Sequence, residues 1–293
     1  MKTGFIGLGA MGMHMARNLG RAQLLHACWN RSVDKAVGLA TETGARVAAD
    51  PAALAREVEL VILCVSADAD VLGVIDAMLP GVGAGLIVVD CSTVSAATAR
   101  EAAARLRAAG AEFLDCPVSG GVEGARDATL AIMCGGSAEA FERAQPILAR
   151  MGRTVTHIGP TGFGQATKAT NQIMCAGIIQ AVSEAMAFAK AEGLPLEKVI
   201  ETLGKGAGSS WYFVNRAPFM ARGSFPAGFR VRLHDKDLKI CRDMAAVHGV
   251  HLPVIEMTLV HYARLIASGH GDEDISTIFR LKDALFARGG APD

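Results

Sequence analysis

One lysine stands at the head of a strongly apolar stretch. Residues 164–172 read GQATKATNQ, and the run that follows is IMCAGIIQAVSEAMAFA. Lys168 is the only full positive charge between Arg153 and Lys190. In a dry cleft a lysine loses solvation, its pKa falls, and it exchanges a proton near neutral pH. Beside a reacting carbonyl it would stabilise the charge developing on oxygen and then protonate it. The structural alternative is a lysine whose ammonium snorkels out to water at a domain junction. Asn171 and Gln172 follow at i+3 and i+4, and in a regular helix the i+4 residue shares the lysine's face more closely.

A second group of residues suits a nucleotide. GFIGLGAMG puts Gly7, Gly9 and Gly12 in GxGxxG spacing, with a strand expected over residues 2–7 and a helix over about 11–20. Gly7 permits the tight turn, Gly9 lets a pyrophosphate approach the backbone, and Gly12 lets the helix pack on the strand. Leu8, Ala10 and Met11 complete the turn, and the helix N-terminus offers amides and a positive dipole to the phosphates. The next β-type run, LLHACWN, ends in Asn30-Arg31-Ser32. An NAD-preferring site has a carboxylate at this place to bond the ribose 2′-OH. Asn30, the Arg31 fork and the Ser32 hydroxyl favour a 2′-phosphate instead, and so NADPH. Val65, Ser66 and Thr93 lie after further strands, where they would line the nicotinamide–ribose end; Thr93 would equally serve as an N-cap. Ser119-Gly120-Gly121, in DCPVSGG, supplies a hydroxyl and bare amides that suit a carboxylate, and suits a tight turn equally well.

These groups need elements to hold them. Up to about residue 158, the β-type runs KTGFIGL, LLHACWN, ELVILCV, GLIVVDCS, AEFLDCP, TLAIMCG and TVTHI alternate with helix-like segments. Such alternation implies an α/β domain with a mostly parallel sheet covered on both faces. Beyond Gly164 the pattern is helical: a long helix over about 164–192, one after Leu196, and others near 235–248, 253–268 and 274–287. The expected division is 1–162 and 163–293, an α/β domain and an all-α domain joined by the long helix, with a ligand cleft between them.

Composition excludes several classes. The 29 basic and 29 acidic residues of the 293 balance without a charged run, which argues against a nucleic-acid or acidic-membrane partner. Gln180 and Glu184 interrupt the best candidate for a span. The N-terminus reads as strand and turn, without the continuous apolar region of a leader. Seven scattered cysteines have no metal-ligand spacing, so the expectation is reduced, mostly buried thiols in a cytoplasmic protein that holds no metal.

GFIGLGAMG, DCPVSGG, GFGQATKATNQ and LHDKDL, in that order and spacing, resemble the β-hydroxyacid dehydrogenase family over essentially the whole chain. That family includes 3-hydroxyisobutyrate dehydrogenase, tartronate semialdehyde reductase and the glyoxylate/succinic semialdehyde reductases. The resemblance implies a Rossmann-type doubly wound N-terminal domain, a long linking helix and an all-α C-terminal domain, assembled as homodimers or homotetramers. It further implies NADP(H)- or NAD(H)-linked interconversion of a small hydroxy acid with its semialdehyde. By the resemblance Lys168 is the general acid/base, and Ser119, Gly120 and Gly121 hold the substrate carboxylate. Lys236, followed by Asp237, would by the same resemblance lie beside the nicotinamide ribose and substrate. The family commonly has two asparagines after the lysine; here the pair is Asn171-Gln172, so Gln172 inherits the polar contact while Asn171 stays within reach. A glutamine there, and GFRVRLHDKDL, resemble the tartronate semialdehyde reductase branch. The implied activity is reversible NADPH-dependent reduction of a semialdehyde of the tartronate, succinic or glyoxylate type. The alternatives are a 3-hydroxyisobutyrate or L-serine dehydrogenase running oxidatively, and a catalytically silent dinucleotide-binding protein.

Further residues have two readings each. His234 suits a base but reads better as a bonded structural histidine. Trp211, Tyr212 and Phe213 suit a lid or the helical core. Arg216, Arg230 and Arg232 suit a second carboxylate or a surface.

Overall fold

The computed structural model describes residues 1–287. Its contacts divide the chain into two units, Met1–Lys168 and Ala169–Asp293. The division falls inside the long helix.

The first unit alternates strands and helices: β1 (Thr3–Ile6), α1 (Gly12–Arg21), β2 (Leu25–Trp29), α2 (Val33–Thr43), β3 (Arg46–Val47), α3 (Pro51–Glu57), β4 (Leu60–Leu63), α4 (Asp68–Met78), β5 (Ile87–Asp90), α5 (Ala96–Ala108) and β6 (Glu112–Asp115). It continues with β7 (Val118–Ser119), α6 (Gly121–Arg126), β8 (Leu130–Gly135), α7 (Ala138–Leu148) and β9 (Gly152–Gly159), and ends in the first turns of α8 (Phe163–Ala191). The strands lie in the order β3-β2-β1-β4-β5-β6-β8-β7, with β9 beside β8. Pairing from β3 through to β6 is parallel; β8 runs antiparallel to β6 and β7.

Sequence explains the burial. β1, β4 and β5 are fully buried and, apart from Thr3 and Asp90 at their ends, apolar on both faces, as parallel strands covered on both sides must be. Alternate residues enter different cores. Phe5, Leu60, Ile62, Ile87 and Val89 pack with α1, α2 and α7. Ile6, Val61, Leu63 and Val88 pack against α3, α4 and α5 on the other face. Winding reverses between β1 and β4, and ligands of open α/β sheets bind outside the strand ends at such a switch point.

The second unit comprises the rest of α8, then α9 (Leu196–Leu203), α10 (Trp211–Arg222), α11 (Val231–Ala246), α12 (Pro253–Ala267) and α13 (Phe279–Ala287). Its core joins Ile179, Val182 and Met186 of α8 to Phe213, Leu238, Ile255 and the fully buried Tyr262. α10 lies where no helix was expected. Ser210 caps it by accepting from the Phe213 amide, and Gly223 ends it in the left-handed conformation at φ 64°. Pro218 inside it weakens the sequence signal. α8 is long and apolar enough to cross a membrane, contrary to the expectation that its polar residues exclude it. Over half of its most apolar stretch is nonetheless buried within the protein, as in a core helix.

Candidate active site

The glycine turn sits at the switch point and has the geometry expected of it. Gly7 adopts φ +97°, and a Cβ there would lie 2.2 Å from the Cys64 carbonyl oxygen of the neighbouring strand end. A Cβ on Gly12 would lie 2.0 Å from the Gly7 oxygen, so only glycine lets α1 start so close to β1. Nothing lies within 4 Å of a Cβ built on Gly9, which leaves its backbone approachable. No side chain caps α1 and no acidic residue stands in its first turn, so its dipole faces the turn uncompensated. Ala10 is exposed and Met11 half-buried at the mouth of this turn. These residues fit a dinucleotide pyrophosphate.

Asn30 has a local duty. Its Oδ1 accepts from the Leu8 amide at 2.8 Å and its Nδ2 donates to the Ser32 carbonyl, which ties the end of β2 to the glycine turn. Arg31 beside it is extended into solvent, its side chain 90% exposed, with Asp70 at 3.9 Å. Ser32 takes the N-cap position of α2 without a side-chain cap bond.

The loops after β4 and β5 are knitted to α8 by residues that sequence reasoning missed. Ser92 Oγ accepts from the Val65 amide at 2.8 Å, with the exposed Ser66 next in the same loop. Gln165 accepts from the Val94 amide and donates to the Ser92 carbonyl, clamping the segment that holds Thr93. Ser95, not Thr93, caps α5 by accepting from the Thr98 amide. Asp68 accepts from Ser95 and Thr98; its burial works to raise its pKa, and these bonds overcome that and hold it low.

Asp115 anchors the head of α8. One carboxylate oxygen accepts from the Gly162 amide at 2.8 Å and the other from the Gln165 amide at 2.9 Å. Two of the amides that a helix N-terminus leaves unpaired are thereby satisfied. Burial pushes the Asp115 carboxyl above its ordinary range while these amides pull it down. A Cβ on Gly164 would meet the Asp115 carbonyl at 2.2 Å, so glycine is required for the approach. Lys168 follows on this anchored helix and is buried, 8% exposed. Ser119 lies in β7, paired with Ala131 of β8, and Gly120 and Gly121 turn the chain at φ +133° and +67° into α6.

In the second unit a chain of polar side chains joins α8 to α11. Lys236 Nζ is 3.0 Å from Asp237 Oδ1, and Gln172 Nε2 donates to Asp237 Oδ2 at 2.7 Å. Asn171 Nδ2 donates to Gln172 Oε1 at 2.8 Å and to the Cys175 sulfur at 3.4 Å. Gln172 and Asp237 are buried; Asn171 and Lys236 are half-buried. His234 is fully buried, with Nδ1 2.9 Å from the Tyr262 hydroxyl and Nε2 3.3 Å from the Gln172 carbonyl oxygen. It is a bonded structural histidine.

Arg216 is buried in an ion pair with Asp274 at 3.2 Å, and Asp274 also accepts from the Phe229 and Ser276 amides. This is a structural knot at the entry to α11. Arg230 and Arg232 share the exposed Asp272. Phe213 belongs to the core, whereas Trp211 is half exposed over the Arg216 guanidinium, 4.8 Å from its ring centre. Tyr212 is partly buried against the same core, and burial raises its hydroxyl pKa.

Known proteins resemble nearly the whole chain. Residues 2–159 match the family described as the NAD binding domain of 6-phosphogluconate dehydrogenase. Residues 162–282 match the NAD-binding family of NADP-dependent 3-hydroxyisobutyrate dehydrogenase. The 2-hydroxy-3-oxopropionate reductase of Escherichia coli is 35% identical, across 97% of this chain and 98% of that protein. The solved structure of Mycobacterium tuberculosis 3-hydroxyisobutyrate dehydrogenase with L-serine superposes with a TM-score of 0.87 at 30% identity, covering 96% of this chain and 98% of that one. Psf3 in complex with NADP+ and 2-OPP does so with a TM-score of 0.85 at 27% identity, covering 95% and 99%. With a glycine turn at the switch point, a buried lysine on an anchored helix and homology along both units, the chain belongs to the β-hydroxyacid dehydrogenase family of NAD(P)-linked oxidoreductases.

Proposed function

We propose that this oxidoreductase uses NADPH to reduce a small carboxylate-bearing aldehyde, of the tartronate semialdehyde, succinic semialdehyde or glyoxylate type, to its hydroxy acid. The observation behind the reading is Lys168, a lysine buried to 8% exposure near the head of a helix whose first amides Asp115 secures. Bound at the glycine turn, the nicotinamide nucleotide supplies the hydride that reduces the aldehyde carbon. Lys168 stabilises the charge growing on the carbonyl oxygen and then gives that oxygen its proton. In the oxidative direction Lys168 takes the proton back. Ser119 and the amides of Gly120 and Gly121 receive the substrate carboxylate. Asn171 and Lys236 supply polar contacts, Lys236 to the nicotinamide ribose as well, and Gln172 stands behind Asn171. Support for the reductive reading and the tartronate type comes from the name of the Escherichia coli relative.

The choice of NADPH rests on Arg31. Asn30 is engaged with the Leu8 amide and carries no charge to repel a 2′-phosphate, while the Arg31 fork extends beside it. The oxidative alternative, a 3-hydroxyisobutyrate or L-serine dehydrogenase, is favoured by the Mycobacterium tuberculosis structure. A panel of C2–C5 aldehyde acids and the matching hydroxy acids, each assayed with both cofactors, tests both readings. The reductase reading requires its best kcat/KM for an aldehyde acid with NADPH; a best value for a hydroxy acid with NAD would replace it.

We also infer a homodimer or homotetramer. Met174 and Phe188 of α8, and Val254, Met257 and Val260 of α12, are exposed on helices of the second unit. Exposed apolar side chains in such number are commonly covered by another surface. Light scattering that returns the mass of a single chain would refute it.

A further inference from the structure

We propose that Asp237 is a positioning residue: it holds Gln172 and Lys236, and through Gln172 it orients Asn171. The inference rests on the reductase reading above and deepens it. It assigns Gln172 and Asp237 to holding, and Asn171 and Lys236 to meeting the ligand.

The directions of the bonds carry the argument. An ionised carboxylate only accepts, so Asp237 obliges Gln172 to present its Nε2 hydrogens to Oδ2, at 2.7 Å. Gln172 Oε1 must then point the other way, where it accepts from Asn171 Nδ2 at 2.8 Å. The Cys175 sulfur takes a second bond from the same Nδ2, so both of its hydrogens are committed, and an amide turned over would set its oxygen against Gln172 Oε1. The other Asp237 oxygen takes the ammonium of its neighbour Lys236 at 3.0 Å. One buried carboxylate therefore sets the orientation of two amides and an ammonium.

Burial divides the chain of residues. Gln172 is 1% and Asp237 5% exposed, whereas Asn171 and Lys236 are only half-buried. The backbone of Gln172 is fixed too. A carbonyl oxygen only accepts, so His234 Nε2 carries the proton toward Gln172, and its Nδ1 accepts from the Tyr262 hydroxyl. Burial raises the pKa of that hydroxyl well above the ordinary value, so it keeps its proton and can donate. Asp235 on the same helix pairs with Lys239 and takes no part.

The test reverses the polarity of the central bond. In Asp237→Asn an amide nitrogen is forced against the Lys236 ammonium or the Gln172 amide; in Gln172→Glu two carboxylates are forced together. In the double variant the amide nitrogen introduced at 237 donates to the carboxylate introduced at 172. That carboxylate still accepts from Asn171, and the amide oxygen at 237 still accepts from Lys236. Each single variant is expected to lower kcat/KM for the best aldehyde acid by about tenfold or more, and the double to recover most of it. Singles with wild-type kcat/KM, or a double no better than the singles, would overturn the proposal. The side-chain amide 15N–1H resonances of Asn171 and Gln172 give a reading that needs no substrate. Both should shift in Asp237→Asn, and that of Asn171 should return in the double variant; an unmoved Asn171 resonance in the single variant would also overturn it. If the wild type reduces no acid aldehyde, the reductase reading falls and these resonances alone decide whether Asp237 sets the amides.

Discussion

On the NADPH reading proposed above, Arg31 is the residue on which cofactor choice turns. It is extended from the end of β2, and Asp70, at 3.9 Å, is a loose partner that a phosphate would displace. Arg31→Ala is expected to lower kcat/KM with NADPH by about 10- to 100-fold, the worth of charge-assisted bonds to a phosphate, and to leave NADH nearly unchanged. Equal losses with both cofactors would assign Arg31 to the loop's stability. The glycine turn beside it was legible because each demand there is local: Gly7 and Gly12 are required by atoms only a few residues or one strand away. Asp115 and Gln165 were not. Their partners lie 47 to 73 residues away, and no spacing in one sequence reveals which aspartate will meet which amide. The Gln172–Asp237 bond spans 65 residues and was hidden for the same reason, although the sequence did single out both residues.

Among the elements, α8 depends most on its anchor. Asp115→Asn leaves an acceptor for only one of the two amides that the carboxylate holds, and an NH2 against the other. The expected loss is about 1–3 kcal/mol of stability, read as a lower midpoint in urea, together with a fall in kcat. An unchanged midpoint would show that the helix head is held by its neighbours alone. α12 carries a pH effect. His261 Nδ1 faces the donating Nε2 of Gln180 at 2.9 Å and so must accept. Burial, then the charges of Lys282 and Arg264, lower its pKa below the ordinary imidazole value. A lowered pKa means that the unfolded chain binds the proton more readily. This contribution to stability is complete above the ordinary value of about 6.5 and is lost as pH falls from there through the folded value. The melting temperature should fall over that interval, and His261→Gln should flatten the fall; an unaltered slope would place the effect elsewhere. Long periodic elements were legible from sequence, as with α8 and α12. Two-residue strands such as β3 and β7 were not, because an alternating pattern needs more residues than they possess.

For the whole molecule, the strand–helix alternation followed by helices predicted an α/β unit and an all-helical one, and the chain has both. The relatives agree along its length, and they fix the chemistry as NAD(P)-linked oxidoreduction of the β-hydroxyacid dehydrogenase type. What they leave to experiment is the acid that the enzyme turns over and the group that moves its proton. Lys168→Ala, assayed with NADPH and the best aldehyde acid of the panel, tests the latter most directly. Turnover should fall by about 10²–10⁴-fold, the usual worth of a general acid, while NADPH binds as tightly as to the wild type. Near-normal turnover in that variant would contradict the mechanism and remove Lys168 from it.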